Sequence, residues 1–451
     1  MPPDWQINSS MPQVTANDYE VESYAELIEH PFLLGHLCQH HFVEQGVHFT
    51  LAFSETPRCE LSQLEADLRK IIAHHFSLYK HDADDNAPFA HYHFQTMLCK
   101  DGYGGLEHLD STALLYPRGD LEPHNQEGYQ TFLSLCAHEL LHAWHVKRIQ
   151  PICLKNPTLA EPIHTEQLWI YEGLTSFYDD FSIARAGTIQ PKDYTQILAK
   201  NVTRLLRNPG QVQQSIAESS FYAWTKFYLQ TPTSTNFITS YYNKGGLVAL
   251  CLDILLRKES QDRYSLDDVM QILWRDYGKT GVGTADDVIA TICSEQLGIN
   301  IDNFIANFVR GTVELPLLQL LPYVGLALNL RASTSLQDKG GLNDKPGMHY
   351  ALGGLLDSRP LGCAVQSVWH DGALAQAGVL PNDLVIAINA MQVEMGNLVS
   401  TVNQLSGNSC ELSVLRDGRL LTLSMPLRPA PLDTAEVHIV DEARYLQWLT
   451  Q

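Results

Sequence analysis

Two histidines four residues apart, in His138-Glu139-Leu140-Leu141-His142, would lie on one face of a helix, one turn from each other. Both imidazoles could then reach a single metal ion, and zinc is the usual partner of such a pair. Glu139, beside the first histidine, is placed to take a proton from a water on that metal. The stretch from Tyr129 to Ala137 is apolar, proline-free and made of good helix formers, so it predicts a buried helix running into the motif. Such a helix would otherwise hide two imidazoles and a carboxylate, which is costly unless they are paired or bound to a metal.

A catalytic zinc takes three protein ligands and leaves one position open. Glu172 is the candidate for the third, a lone glutamate in the apolar, helical run Leu168 to Tyr178. The competing reading is a carboxylate that opens a helix, where it suits the positive end of the dipole.

The run H-E-L-L-H-A-W-H-V-K-R-I-Q-P at 138–151, followed by L-W-I-Y-E-G-L-T-S-F-Y-D-D at 168–180, resembles the PDZ-containing glycyl-aminopeptidase family. That family belongs to the gluzincins, zinc peptidases whose third ligand is a glutamate on a second helix. D-G-Y-G-G-L-E-H-L-D-S at 101–111 resembles its glycine-rich segment, and S-Y-Y-N-K-G-G-L-V-A-L-C-L-D at 240–253 its tyrosine-bearing one. With a PDZ-like C-terminal region, the resemblance extends from about Tyr24 onward.

The resemblance implies that His138, His142 and Glu172 hold one zinc ion per chain, with Glu139 as general base. Tyr242, two residues before Lys244-Gly245, would stabilise the oxyanion, although the adjacent Tyr241 could do so instead. Glu107 would grip the free α-amine of a peptide, and Gly104 and Gly105 would let the backbone approach it. Relatives usually carry asparagine where this chain has His145, a departure that bears on the hydrogen bonds around the metal and removes no ligand. They also usually carry a β-rich domain ahead of the matching region, so the first residues read as the remnant of one that is absent.

The 451 residues suffice for two or three domains, and 45% hydrophobic against 18% charged residues favours a sizeable core over disorder. A net charge of −21 argues against nucleic acid or an anionic membrane as the main partner. The nine cysteines are dispersed without a C-x-x-C pair and read as reduced thiols. No run is long enough to span a membrane, and the start M-P-P-D-W-Q lacks a signal peptide's pattern, so a cytoplasmic location is expected.

The expected fold is α+β: a thermolysin-like (gluzincin) catalytic domain with a β-rich and a helical lobe, then a PDZ domain. Residues 1–20 read as an extended polar lead, 21–128 as the β-rich lobe, 129–315 as the helical lobe, 316–430 as the PDZ domain and 431–451 as a tail. Strands are expected at Val47–Phe53 and His91–Leu98, with a helix over Leu61–Tyr79 between them. Ser265-Leu266-Asp267-Asp268 and Thr284-Ala285-Asp286-Asp287 look like helix starts. Asp417-Gly418 marks a hairpin, 331–349 a flexible insertion, and Ala351–Leu356 the loop that would hold a peptide's terminal carboxylate. His40, His41, His91 and His93 lack ligand spacing and read as ordinary polar residues.

The reading is a zinc peptidase, foremost an aminopeptidase releasing small N-terminal residues such as Gly or Ala, the latter on the resemblance alone. An endopeptidase and a catalytically silent PDZ binding protein are the alternatives.

Overall fold

The computed structural model describes residues 2, 4–15, 18–79, 87–155 and 157–450. Helices and strands are mixed throughout, and the chain divides into two compact units that interleave in sequence. The first comprises residues 1–194, 252–301 and 446–451, and the second 195–251 and 302–445. The helical stretch expected over 129–315 is therefore shared between the two units.

The first unit is built on a five-stranded sheet of order β3-β4-β5-β7-β6. Its strands are β3 (Cys38–Glu44), β4 (Val47–Phe53), β5 (His91–Cys99), β6 (Gly104–Glu107) and β7 (Ser111–Pro117). In β4 every residue but His48 is buried, as befits a strand covered on both faces. β4 and β5 run parallel, and β5 and β7 do too, so each pair needs a crossover. The first crossover includes α2 (Leu61–Leu78), which buries Leu64, Leu68, Ile71, Ile72 and Phe76 as one helical stripe. β6 folds back antiparallel on β7 and forms the sheet edge.

Two further helices cross this unit. α3 (Gln126–His142) is capped by Asn125, whose side chain accepts from Gly128 N at 2.9 Å. α4 (Leu174–Arg185) follows a π-helical turn at Trp169–Gly173. Just past α3, the fully buried Trp144 packs against Phe76, Tyr79 and Phe89, with centroids 5.7, 5.1 and 5.2 Å away. Burying a side chain of this size contributes about 3 kcal/mol and anchors the chain as it leaves the helix.

The described residues of the expected polar lead are held in place. β1 (Gln6–Asn8) pairs with β2 (Leu33–Gly35), and Asn8, Ser10 and Met11 are buried. The Asn8 amide donates to Gln39 at 3.0 Å and its carbonyl groups accept from Gln95, so polar contacts pin this segment. The capping box expected at Ser265 is present, with Asp268 accepting from Ser265 N at 2.8 Å. Thr284 is no helix cap. It is fully buried and bonds Gln167 and Tyr171, while the short helix after it starts at Val288. His40 pairs with Glu65, His41 bonds Thr50 and His93 bonds Asn8.

The second unit contains a sheet of order β14-β13-β11-β10-β9, with the short β12 (Met391–Gln392) beside β11. The strands are β9 (Gly354–Arg359), β10 (Gly362–Val368), β11 (Leu384–Ile388), β13 (Ser409–Arg416) and β14 (Arg419–Pro426). Asp417 and Gly418, with φ of 49° and 75°, make the tight turn between β13 and β14 that their dipeptide predicts. Val365, Val385, Ile388, Leu412 and Val414 pack beneath Leu398 and Val402 of the helix Met395–Asn403. Within 431–450, expected as part of a tail, Leu432–Ile439 form β15 and Glu442–Thr450 a helix whose residues from 446 on belong to the first unit. β15 pairs with β8 (Leu326–Ala332), some hundred residues earlier in the chain. The stretch 331–349 is tied down: Arg331 bonds Asp338, Glu436 and the Gly341 carbonyl, and Met348 is buried.

Candidate active site

His138 and His142 project from the last turns of α3 with ring centroids 4.6 Å apart and planes at 86°. Their Nε2 atoms lie 3.3 and 3.2 Å from the same Glu172 oxygen. The three candidate ligand atoms all fall within 4.8 Å of one another, the one such group among the described residues. Tetrahedral zinc ligands at about 2.0–2.1 Å from the ion stand about 3.3 Å apart, so the two distances to Glu172 are those of ligands sharing one ion.

The other nitrogen of each ring is already committed. His138 Nδ1 lies 2.9 Å from Asp179 Oδ2, and His142 Nδ1 donates to the His145 carbonyl at 2.8 Å. A carbonyl only accepts, so His142 carries its proton on Nδ1 and presents a lone pair on Nε2. Partners of this kind orient the ligands and raise their basicity.

Glu172 lies within the π-helical turn, a local widening common at functional sites. Asp179 follows it by seven residues, two turns along, which returns it to the same side of the helix. Burial alone would raise the Glu172 carboxyl, but the His142 and His138 imidazoles offset this and hold it well below the usual range. Burial would lower His138, yet its bonds to Asp179 and Glu172 raise it well above an ordinary histidine. The cluster thus strongly favours positive charge at its centre.

Glu139 points to the sheet edge. Burial raises its carboxyl to about 7; the imidazoles oppose the rise and the charges of Glu107 and Glu172 add to it. A carboxyl in that range suits proton transfer at neutral pH. Thr112 Oγ1 donates to its Oε2 at 3.4 Å, and Tyr92 donates to its main-chain carbonyl at 3.0 Å. A Cβ on Gly105 would stand 2.1 Å from Glu139 Oε1, so any side chain there would have to displace the Glu139 carboxylate. Glu107, two residues along β6, projects to the same side of the strand as that missing Cβ and thus toward the face on which Glu139 lies. Gly104 has nothing within 4 Å of its Cβ position.

Tyr242 belongs to the second unit. It is half-buried and stacks on Tyr241 at 4.7 Å, whereas Tyr241 is fully buried. Tyr241 donates to the Tyr228 hydroxyl at 3.3 Å, and Tyr228 and Tyr242 share a hydrogen bond of 2.9 Å. Lys244 is buried and donates to the Gln211 carbonyl at 3.0 Å; burial pulls its ammonium down to about 8.

Sequence reasoning missed Asp179, Thr112 and Tyr228. The seven-residue spacing from Glu172 was a usable signal for Asp179. Thr112 reaches Glu139 only through strand pairing, and Tyr228 reaches Tyr242 only through the folding of a loop.

The sequence profile of the M61 glycyl aminopeptidase family matches residues 131–248, which hold both ligand segments and Tyr242. A crystal structure of an aminopeptidase N family protein from Idiomarina loihiensis is 34% identical and superposes with a TM-score of 0.94, over 100% of this chain and 77% of that one. An M1 zinc metallopeptidase from Deinococcus radiodurans gives 14% identity and a TM-score of 0.47, over 70% of this chain and 63% of that one. A search among curated proteins finds no match. The profile match and the Idiomarina relative define a zinc metallopeptidase of the gluzincin kind. The chain belongs to the M61 glycyl aminopeptidase family.

Proposed function

We propose that this protein is an aminopeptidase that binds one zinc ion per chain through His138, His142 and Glu172 and removes small N-terminal residues such as glycine or alanine. The convergence of three ligand atoms within 4.8 Å, each imidazole already oriented by its other nitrogen, is the observation that carries the reading. Bound there, zinc would supply Lewis acidity and make an attacking water acidic enough to react near neutral pH.

Glu139 takes the proton of that water and passes it to the departing amine. Its raised carboxyl and its place against Gly105 of the edge strand support this role. Tyr242 donates to the oxyanion of the tetrahedral state. Its motif and its partial exposure, against the buried Tyr241, favour it over its neighbour. Glu107 pairs with the substrate's ammonium, with Gly104 leaving the edge strand open to the peptide backbone and Gly105 admitting Glu139 beside it.

The thermolysin-like architecture and a PDZ module in the second unit are part of the same proposal. β9 forms the edge of its sheet, and Ala351–Leu356 leads into it through Gly353, whose φ is 75°. An extended peptide would add to this edge with its terminal carboxylate on the loop amides. The nine free thiols suit a reducing compartment such as the cytoplasm, and no described helix is long and apolar enough to cross a membrane.

The test is hydrolysis of alanyl and glycyl peptides with free and with N-acetylated amino termini. The free forms should be cleaved and the acetylated ones resisted, and Glu107→Gln should raise KM for the free forms about tenfold or more. Equal cleavage of both would make the enzyme an endopeptidase.

A further inference from the structure

The turn that follows the metal-binding helix contains a polar side chain that the chemistry above does not use. His145 is fully buried. Its ring Nε2 donates to the Ile170 carbonyl at 3.0 Å, and its own carbonyl accepts from His142 Nδ1 at 2.8 Å. Ile170 lies in the π-helical turn, two residues ahead of Glu172. His145 therefore touches both ligand-bearing elements at once, α3 through its main chain and the Glu172 turn through its side chain.

Two unfavourable features accompany this arrangement. The remaining ring nitrogen, Nδ1, is buried without a hydrogen-bond partner. The next residue, Val146, is β-branched yet holds φ at 121°, in the region that favours glycine. A buried orphan nitrogen and a strained backbone persist only where surrounding contacts over-determine them. The contacts are present: Lys147 N donates to the His142 carbonyl at 3.0 Å, and the His145 ring lies 4.9 Å from Tyr171. Val146 sets the peptide that follows His145, and with it the direction of the carbonyl that receives His142.

We propose that His145 is a positioning residue for the whole metal centre, locking His142 and Glu172 in mutual register through one side chain and one carbonyl. The proposal rests on the three-ligand reading above. A hydrophobic side chain at 145 could fill the same space, but it would leave the Ile170 carbonyl unpaired and join the two ligand elements by packing alone. A glutamine carries an amide N–H about as far out as Nε2 and can restore the bond. An asparagine is one methylene shorter, reaches only as far as Nδ1 and cannot.

The experiment is the zinc dissociation constant, by competition with a chromophoric chelator, for the wild type and for His145→Phe, His145→Asn, His145→Gln and His142→Ala. Thermal unfolding of each metal-free form reports folding separately. Loss of zinc by His142→Ala tests the ligand reading itself; retention there would refute that reading, whatever the His145 variants do. Given that loss, His145→Phe and His145→Asn should bind zinc about 10–100-fold more weakly, while His145→Gln stays within about threefold of wild type. Wild-type affinity in a folded His145→Phe would overturn the proposal. Should that variant not fold, equal affinities for His145→Asn and His145→Gln would overturn it instead.

Discussion

Two edge strands among the described residues adjoin a pair of glycines, Gly104-Gly105 opening β6 and Gly353-Gly354 leading into β9, and the pairs serve different ends. At β6 the second glycine, Gly105, makes room for a side chain: a Cβ there would stand 2.1 Å from the Glu139 carboxylate. Before β9, Gly353 makes room for backbone: a Cβ would stand 2.4 Å from Gly372 Cα, and its φ is 75°. One glycine admits a carboxylate to an edge strand, whereas the other lets a loop pass close to a neighbouring backbone. The same dipeptide thus marks close approach in both units, and only its surroundings say what approaches. In the function proposed above, the edge at β6 serves catalysis and the edge at β9 peptide capture.

That contrast can be broken first at the base. Glu139→Gln should lower kcat about 10³-fold while zinc content stays at the wild-type level, because the amide cannot take the proton. Activity within tenfold of wild type would remove Glu139 from the mechanism. Gly105→Ala should come next, lowering kcat about 10²-fold with the metal retained, since the methyl displaces the carboxylate by about an ångström. A variant of normal activity would show that Glu139 reaches its substrate by another route.

Asp179→Asn probes the carboxylate behind His138 and should weaken zinc binding about 10–100-fold, read by chelator competition. Gly353→Ala should be the mildest for catalysis. Hydrolysis of a dipeptide substrate should be unchanged, while binding of a peptide with a free C-terminus, followed by fluorescence anisotropy, should be lost. A fall in dipeptide turnover would tie the second edge to the chemistry and end the division of labour between the two.

The clustering of His138, His142 and Glu172 was legible in the sequence because holding one metal ion demands a fixed spacing. His138 and His142 are one helical turn apart, and a glutamate in an apolar helix has few other reasons to be buried. Strand β4 and the start of α2 were also readable, since hydrophobic runs and periodicity are local properties. What escaped was non-local. β8 finds β15 across a hundred residues, so the last segment looked like a tail. Asn8 is buried and bonds Gln39 and Gln95 through its side chain, contacts that an extended polar lead does not announce. Thr284 resembles a helix cap in a four-residue window, yet its hydroxyl donates to Gln167, far away in the chain. The bond from Tyr228 to Tyr242 depends in the same way on how a loop folds back.

Metal analysis of the purified protein, beside Glu172→Ala, addresses the central claim most directly. One zinc per chain in the wild type, largely lost in the variant, is the result expected from the convergence of His138, His142 and Glu172. A wild-type protein that holds no zinc when prepared without chelator, and takes up none when it is added, would contradict the account.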